Sequence, residues 1–240
     1  ANLANVMAQN DNGYTFEEML FKISDERKLL AKKLGQDQVD AQFGVLRDKV
    51  FYTSLDYWFD SDSNRVKPEL REIYQQIRRR LGYSDAELQK ILPYGSPYSF
   101  PNLYETQSGD RLIGTLTMID GPTDQMWIFH SDIMESQQIL LDVFNTLQFL
   151  KEKHSTPYTL RIQEFISAMY GYYNAMPFER GSASIGKVYF AAAYANIFGA
   201  KLPTLPDLID VLAMVTEQQE FISKIEPYFI RPAKQNPSGF

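Results

Sequence analysis

Met176-Pro177-Phe178-Glu179-Arg180-Gly181-Ser182-Ala183-Ser184-Ile185-Gly186-Lys187 stands directly ahead of an apolar run over 188–198. A Pro, then Gly and small hydroxylated residues, then a Lys before a greasy segment read as a tight loop feeding a buried helix. The unpaired N–H groups at such a helix start point outward and favour anions. Gly181 frees the backbone to turn, and Ser182 or Ser184 can cap the helix. Gly186 lets something approach the first turn, and Lys187 supplies a mobile cation. Together these describe a phosphate cradle. The plainer reading of the same letters is a capped helix, with Ser as N-cap, Gly for packing and Lys in solvent.

Outward from this loop, helix-start signals recur. Thr15-Phe16-Glu17-Glu18 and Ser84-Asp85-Ala86-Glu87 are capping boxes. Thr156-Pro157 puts Pro at a first helical position. Apolar residues then recur at helical spacing: Phe16, Leu20, Ile23 and Leu30; Leu160, Phe165, Ile166, Met169 and Tyr173; Leu205, Leu208, Leu212, Val215 and Phe221. The pattern predicts helices over 15–34, 39–59, 67–81, 84–92, 132–153, 156–174, 184–199 and 205–225. One segment differs. Residues 111–119 alternate, 120–124 read Asp-Gly-Pro-Thr-Asp, and 125–129 are apolar again, which predicts a β-hairpin with a five-residue turn. The expected fold is therefore mainly α, a multi-helix globular domain with one small β-hairpin. Its parts are a flexible N-terminus (1–13), an N-terminal helical part (14–92), a connector rich in Pro, Tyr, Ser and Gly (93–107), a helical core with the hairpin (108–226) and an extended tail (227–240).

Composition narrows the function. The chain has 240 residues, 16 Phe, 15 Tyr, 2 Trp and a net charge of −6, enough for a sizeable core and unlike a general nucleic-acid binder. Arg78-Arg79-Arg80 reads as a solvated helix end. With no Cys, thiol catalysis, disulfides and Cys-ligated zinc are excluded. This fits a secreted or translocated protein as well as a cytoplasmic one. His130-Ser131-Asp132 with His154 has the letters of a two-His-one-carboxylate iron site. The expectation is no metal, because His154 falls in a Lys-Glu-Lys-His-Ser-Thr-Pro connection. No apolar run is long enough to span a bilayer. The start at Ala1 reads as a processed or excised form.

Two named motifs compete for the loop. Residues 181–187 satisfy G-x-x-x-x-G-K, but Val188 stands where a P-loop needs Ser or Thr for Mg²⁺, and no βα alternation surrounds it. The second is the Fic family of adenylyl- and other phosphoryl-group transferases, with the motif H-P-F-x-x-G-N-G-R-x-x-R. The 176–187 stretch resembles it in the same frame. Pro177, Phe178 and Gly181 match, and Lys187 keeps the final charge. Met176 replaces the catalytic His, Ser182 the Asn, Ala183 the second Gly and Ser184 the first Arg. The hairpin over 111–129 is similar to the family's target-docking flap, and the resemblance covers 108–226. It implies a Fic-like effector or toxin domain. A nucleotide with Mg²⁺, or another phosphorylated ligand, would sit among Glu179, Arg180, Gly181, Ser182, Ser184, Gly186 and Lys187. A target protein, one of a host cell for instance, would align on the hairpin through Thr115, Thr117 and Trp127. Because Met176 cannot take a proton as His does, the alternative is a non-catalytic protein-interaction domain of a translocated virulence protein.

Other candidates have plain readings. Tyr14, Tyr52, Tyr57, Tyr74, Tyr170, Tyr172 and Tyr173 could line an aromatic pocket, but at helical spacing they read as core with hydroxyls at the rim. Trp127 beside His130 could anchor a partner or simply close the core. Glu164 could be a buried base, though Arg161 and Gln163 suggest an exposed face. Asp56, Asp60 and Asp62 read as a solvated helix end and turn.

Overall fold

The computed structural model describes residues 13–33, 42–50, 52–54, 59–60, 65–66, 98–120, 125–153 and 155–230. The predicted helices over 67–81 and 84–92, His154, Asp56, Asp62 and Arg78-Arg79-Arg80 lie outside the described residues. The chain is mainly helical with a small antiparallel sheet. α1 (Phe16–Lys33) opens on the expected capping box. The Thr15 N–H donates to Glu18 Oε2 at 2.8 Å, and the Glu18 N–H to Thr15 Oγ1 at 3.1 Å. These satisfy two of the donors that a helix start leaves open. Phe16, Met19, Leu20 and Ile23 face inward, but Leu30 is exposed and Ala31 is buried in its place.

α2 (Ile133–Glu152) begins at Asp132, whose carboxylate accepts from the Met134 N–H at 2.9 Å. α3 (Tyr158–Ala175) and α4 (Ser182–Phe198) follow. Pro157 is the residue before α3 rather than its first turn. The predicted 205–225 helix is two helices, α5 (Ile209–Val215) and α6 (Gln218–Phe229). The chain is extended at Thr216, where the hydroxyl bonds the Leu212 carbonyl and the carbonyl accepts from Tyr170 Oη. That local bonding competes with helix continuation.

Strands β1 (Tyr52–Ser54), β4 (Tyr98–Glu105), β5 (Arg111–Asp120) and β6 (Gln125–Phe129) form one sheet in the order β1-β6-β5-β4. Between them in sequence, β2 (Phe59–Asp60) and β3 (Arg65–Val66) pair with each other. The expected hairpin forms, but Asp120 pairs with Gln125 inside the ladder, so four residues rather than five connect the strands. Two expectations are corrected. The helix expected over 39–59 is absent from the described part of that range: 42–50 carry turns and isolated bridges, and 52–54 and 59 are strand. Gly44 explains the first part, because its φ is +72° and a Cβ there would lie 2.5 Å from the Ser24 carbonyl oxygen. Of the connector, 98–105 is a ladder strand on β5 rather than a free link.

α3 is the centre of the molecule. α2, α4, α5, α6 and the sheet all pack on it, and α1 closes over α4 and α2. The α3 residues Phe165, Ile166, Tyr170, Tyr172 and Tyr173 join Phe190 of α4 and Phe221 of α6 in one core with Phe16 and Leu20 of α1. Leu160, expected inside, is exposed at the helix start. The hydroxyls of Tyr170 and Tyr172 are not at the rim, while Tyr14 is exposed and Tyr57 and Tyr74 lie outside the described residues. Tyr170 Oη donates to the Thr216 carbonyl at 3.0 Å, and Tyr172 Oη to the Ser182 carbonyl at 2.9 Å. Among the described residues no helix is long and apolar enough to cross a membrane.

Candidate functional site

The loop between α3 and α4 is held from below and above. α3 ends at Met176, whose φ of 42° is left-handed and whose N–H bonds the Tyr172 carbonyl. Residues 177–180 then run as a short extended segment against 43–47. The Arg47 N–H donates to the Pro177 carbonyl at 3.0 Å, the Glu179 N–H to the Val45 carbonyl at 2.8 Å, and the Gly44 N–H to the Arg180 carbonyl at 3.2 Å. The Arg47 guanidinium is buried and fixes the same corner. It donates to Met176 O at 2.6 Å, Ala175 O at 2.8 Å, Ser131 O at 3.1 Å and Ser131 Oγ at 3.2 Å. Two of these acceptors are carbonyls that the end of α3 leaves open. Burial lowers the Arg47 pKa, and Asp132 opposes that.

At the start of α4 the predicted ligand residues divide. Gly181 is the residue before the helix, with φ +83°, and a Cβ on it would meet the Phe43 ring at 2.7 Å. The Phe43 ring therefore packs on one side of the turn where the cradle was expected, with Gly181 half-buried beneath it. The Ser182 hydroxyl is buried and spent on the loop itself: it accepts from the Phe178 N–H at 3.0 Å and pairs with the Phe178 carbonyl at 3.1 Å. Gly186 faces the core, not a ligand, since a Cβ would lie 2.5 Å from Tyr172 Cε1 and 2.9 Å from Tyr173 Cε1. The glycine is there for helix packing. Glu179 is half-buried, whereas Arg180, Ser184 and Lys187 are exposed. Ser184 Oγ donates to Gly181 O at 2.9 Å, and Lys187 Nζ reaches the Asp207 carbonyl at 2.7 Å. Burial raises the Asp210 pKa, and the Lys187 charge opposes it.

The hairpin residues are also redistributed. Thr115 and Thr117 are fully buried and cannot meet a partner. They belong to a polar network that ties the sheet to α3 and α5. Thr115 Oγ1 donates to Asn174 Oδ1 at 2.8 Å and accepts from Asn102 Nδ2 at 2.7 Å. Asn102 Nδ2 and Thr117 Oγ1 both donate to Met214 O, and Asn174 Nδ2 donates to Ala213 O and Tyr170 O, each at 3.1 Å. Trp127 is half-buried in β6, opposite Ser54 and Met118. Arg161 corrects the exposed-face reading of its helix: it is buried, and its Nη2 donates to Leu150 O at 2.9 Å and Ile197 O at 3.3 Å, near the ends of α2 and α4. Arg47, Asn102, Asn174 and Arg161 carried no periodic signal, because each acts on backbone carbonyls distant in sequence.

Beside the loop lies an apolar groove of about 330 Å³ between α1, α2 and the 46–47 segment. Phe21, Leu46, Ile133, Leu140, Leu141, Phe144 and Pro177 wall it, with Glu17 and Arg47 at its polar side. Leu141 and Leu46 are 59% and 48% exposed. Among the described residues no group of His, Asp or Glu is arranged to hold a metal ion.

His130, just after β6, is half-buried with its Nδ1 enclosed, and that burial with the nearby Arg47 charge holds its pKa at about 4. The unfolded chain takes up that proton near pH 6.5. Its contribution to stability is therefore complete above pH 6.5 and falls away from 6.5 down to 4. Urea titrations should show about 2 kcal/mol lost between pH 7.5 and 5, following the linkage relation. His130→Asn should flatten this dependence, and an unchanged slope would assign it to other groups.

No family model matches the chain, and no curated protein does.

Proposed function

We propose that this chain is a protein-interaction domain on a Fic-like scaffold, without the family's transfer chemistry. The observation that carries the reading is the filled turn before α4. Phe43 packs on Gly181, the Ser182 hydroxyl is bound to Phe178, and Gly186 packs on Tyr172. Met176 offers no general base in place of the family's His. The order α3, loop, α4, with a hairpin ahead of α2, supports the scaffold. The groove walled by Leu46 and Leu141 supplies exposed apolar surface of the kind that partners cover. The reading extends to a secreted or translocated effector that binds a host protein; the absence of Cys is compatible with that and with a cytoplasmic protein alike.

A second reading keeps a phosphorylated ligand at the same helix start. It is favoured by one feature: no side chain caps α4, and Arg180, Ser184 and Lys187 stand exposed around it. Calorimetry with ATP, GTP and CDP-choline, each with Mg²⁺, separates the two. Flat traces are expected. Micromolar binding that disappears in both Arg180→Ala and Lys187→Ala would overturn the interaction reading in favour of the second.

A further inference from the structure

Among the described residues β4 is an edge strand, and its outward side can be read residue by residue. The Thr106 N–H donates to Asp110 O at 2.9 Å, which closes the β4–β5 connection with a hydrogen-bonded pair. In an antiparallel ladder such pairs alternate with pairs whose N–H and C=O groups point away. Glu105 opposite Arg111 and Leu103 opposite Ile113 are then of the outward kind. Two independent bonds agree. The Ile113 N–H turns from β4 to Glu135 Oε2 at 2.5 Å. The outward groups of Glu105 are both taken by one side chain, its N–H by Gln218 Oε1 at 2.7 Å and its carbonyl by Gln218 Nε2 at 3.1 Å. The Gln218 amide thus occupies one residue's place in a strand that continues the sheet, and a third bond from Nε2 to Ser167 Oγ holds it there. Pro101, two residues before Leu103, suits the same outward row, where no N–H is needed by the sheet.

We infer that this edge receives an extended segment of a partner protein, added to β4 beside Leu103 with Gln218 as its end stop. The inference rests on the interaction reading and names its surface. A groove of about 320 Å³ runs along the row, lined by Pro101, Leu103, Glu105, Arg111 and Glu217. Leu103 is 41% exposed and offers an N–H and a carbonyl at the spacing only another backbone matches. Charge selects the partner. Arg111 lies 3.9 Å from Glu105, which leaves Glu217 as the excess charge on the rim. A basic segment is favoured, and a second copy of this chain, at net charge −6, is opposed.

The test begins with amide exchange in the free protein: Leu103 N–H exchanges fast and Tyr104 N–H slowly. Random dodecapeptides are then selected on the chain, and an enriched peptide is synthesised as the probe. Expected are Lys- or Arg-containing peptides whose addition protects the Leu103 amide. Leu103→Pro removes the outward N–H at a position where the sheet uses none, together with the leucine side chain at the groove, and should weaken binding at least tenfold. Glu217→Lys, a surface change that leaves the fold intact, should weaken it about threefold or more. Enrichment of no peptide overturns the inference, as does self-association through this edge. Peptides that ignore both variants but are lost in Leu141→Arg also sink it, while leaving the interaction reading standing on the α1–α2 groove.

Discussion

Asn174→Ala should cost about 4 kcal/mol, read as a drop in the urea midpoint with little change in slope. The side chain sits on α3 with no exposure and satisfies groups on two other elements. Its Nδ2 donates to the Ala213 carbonyl ahead of the break between α5 and α6, and its Oδ1 accepts from the Thr115 hydroxyl of β5. Truncation leaves the Ala213 carbonyl without that donor and opens a void in a closed interior. Each buried group left unpaired costs about 1–3 kcal/mol, and the void adds to that. Double-mutant analysis with Thr115→Val should show strong coupling, because the two changes remove one shared bond. Additive losses would mean that the network is not a unit. A loss under about 1 kcal/mol would mean that water enters and replaces the amide.

Gly186→Ala should cost about 2 kcal/mol net of the helix gain, and here the sign alone is informative. In an exposed or ligand-facing helical position, Ala in place of Gly gains about 1 kcal/mol. At 186 the new methyl would meet Tyr172 Cε1 at 2.5 Å and Tyr173 Cε1 at 2.9 Å. Both rings are buried among Phe190 and Tyr189, with centroids 5.4–6.1 Å apart, and have little room to move. Overpacking of this kind costs about 1–3 kcal/mol and occasionally more. A thermal unfolding midpoint that rises in Gly186→Ala would restore Gly186 to the open surface that a phosphate ligand needs.

The two predictions concern residues whose letters pointed elsewhere. Gly186 in a G-x-x-x-x-G-K spacing reads as room for a ligand, yet its neighbours are tyrosines of the preceding helix. Thr115 and Thr117 on an alternating strand read as residues that dock a target. β5 instead lies against α3, and Asn102 and Asn174 make the hydroxyls welcome there. The helix expected over 39–59 failed for a related reason. Phe43, Val45 and Arg47 find their partners at 177–180, and no local window contains that pairing.

What the chain's letters decided by themselves is local and periodic: the capping box at Thr15, the helices α1 to α4, the hairpin of β5 and β6, and the turn at Gly181 that starts α4. Each depends on residues within a few positions of one another, so spacing and turn chemistry are enough. What only the tertiary structure decided is which faces are used up. Phe43 over Gly181, Arg47 on the end of α3, Asn174 between sheet and helix, and Gln218 on the edge of β4 join segments far apart in sequence. Burial and hydrogen-bond completion are properties of those meetings, and they turn a loop that reads as an anion cradle into a packed corner.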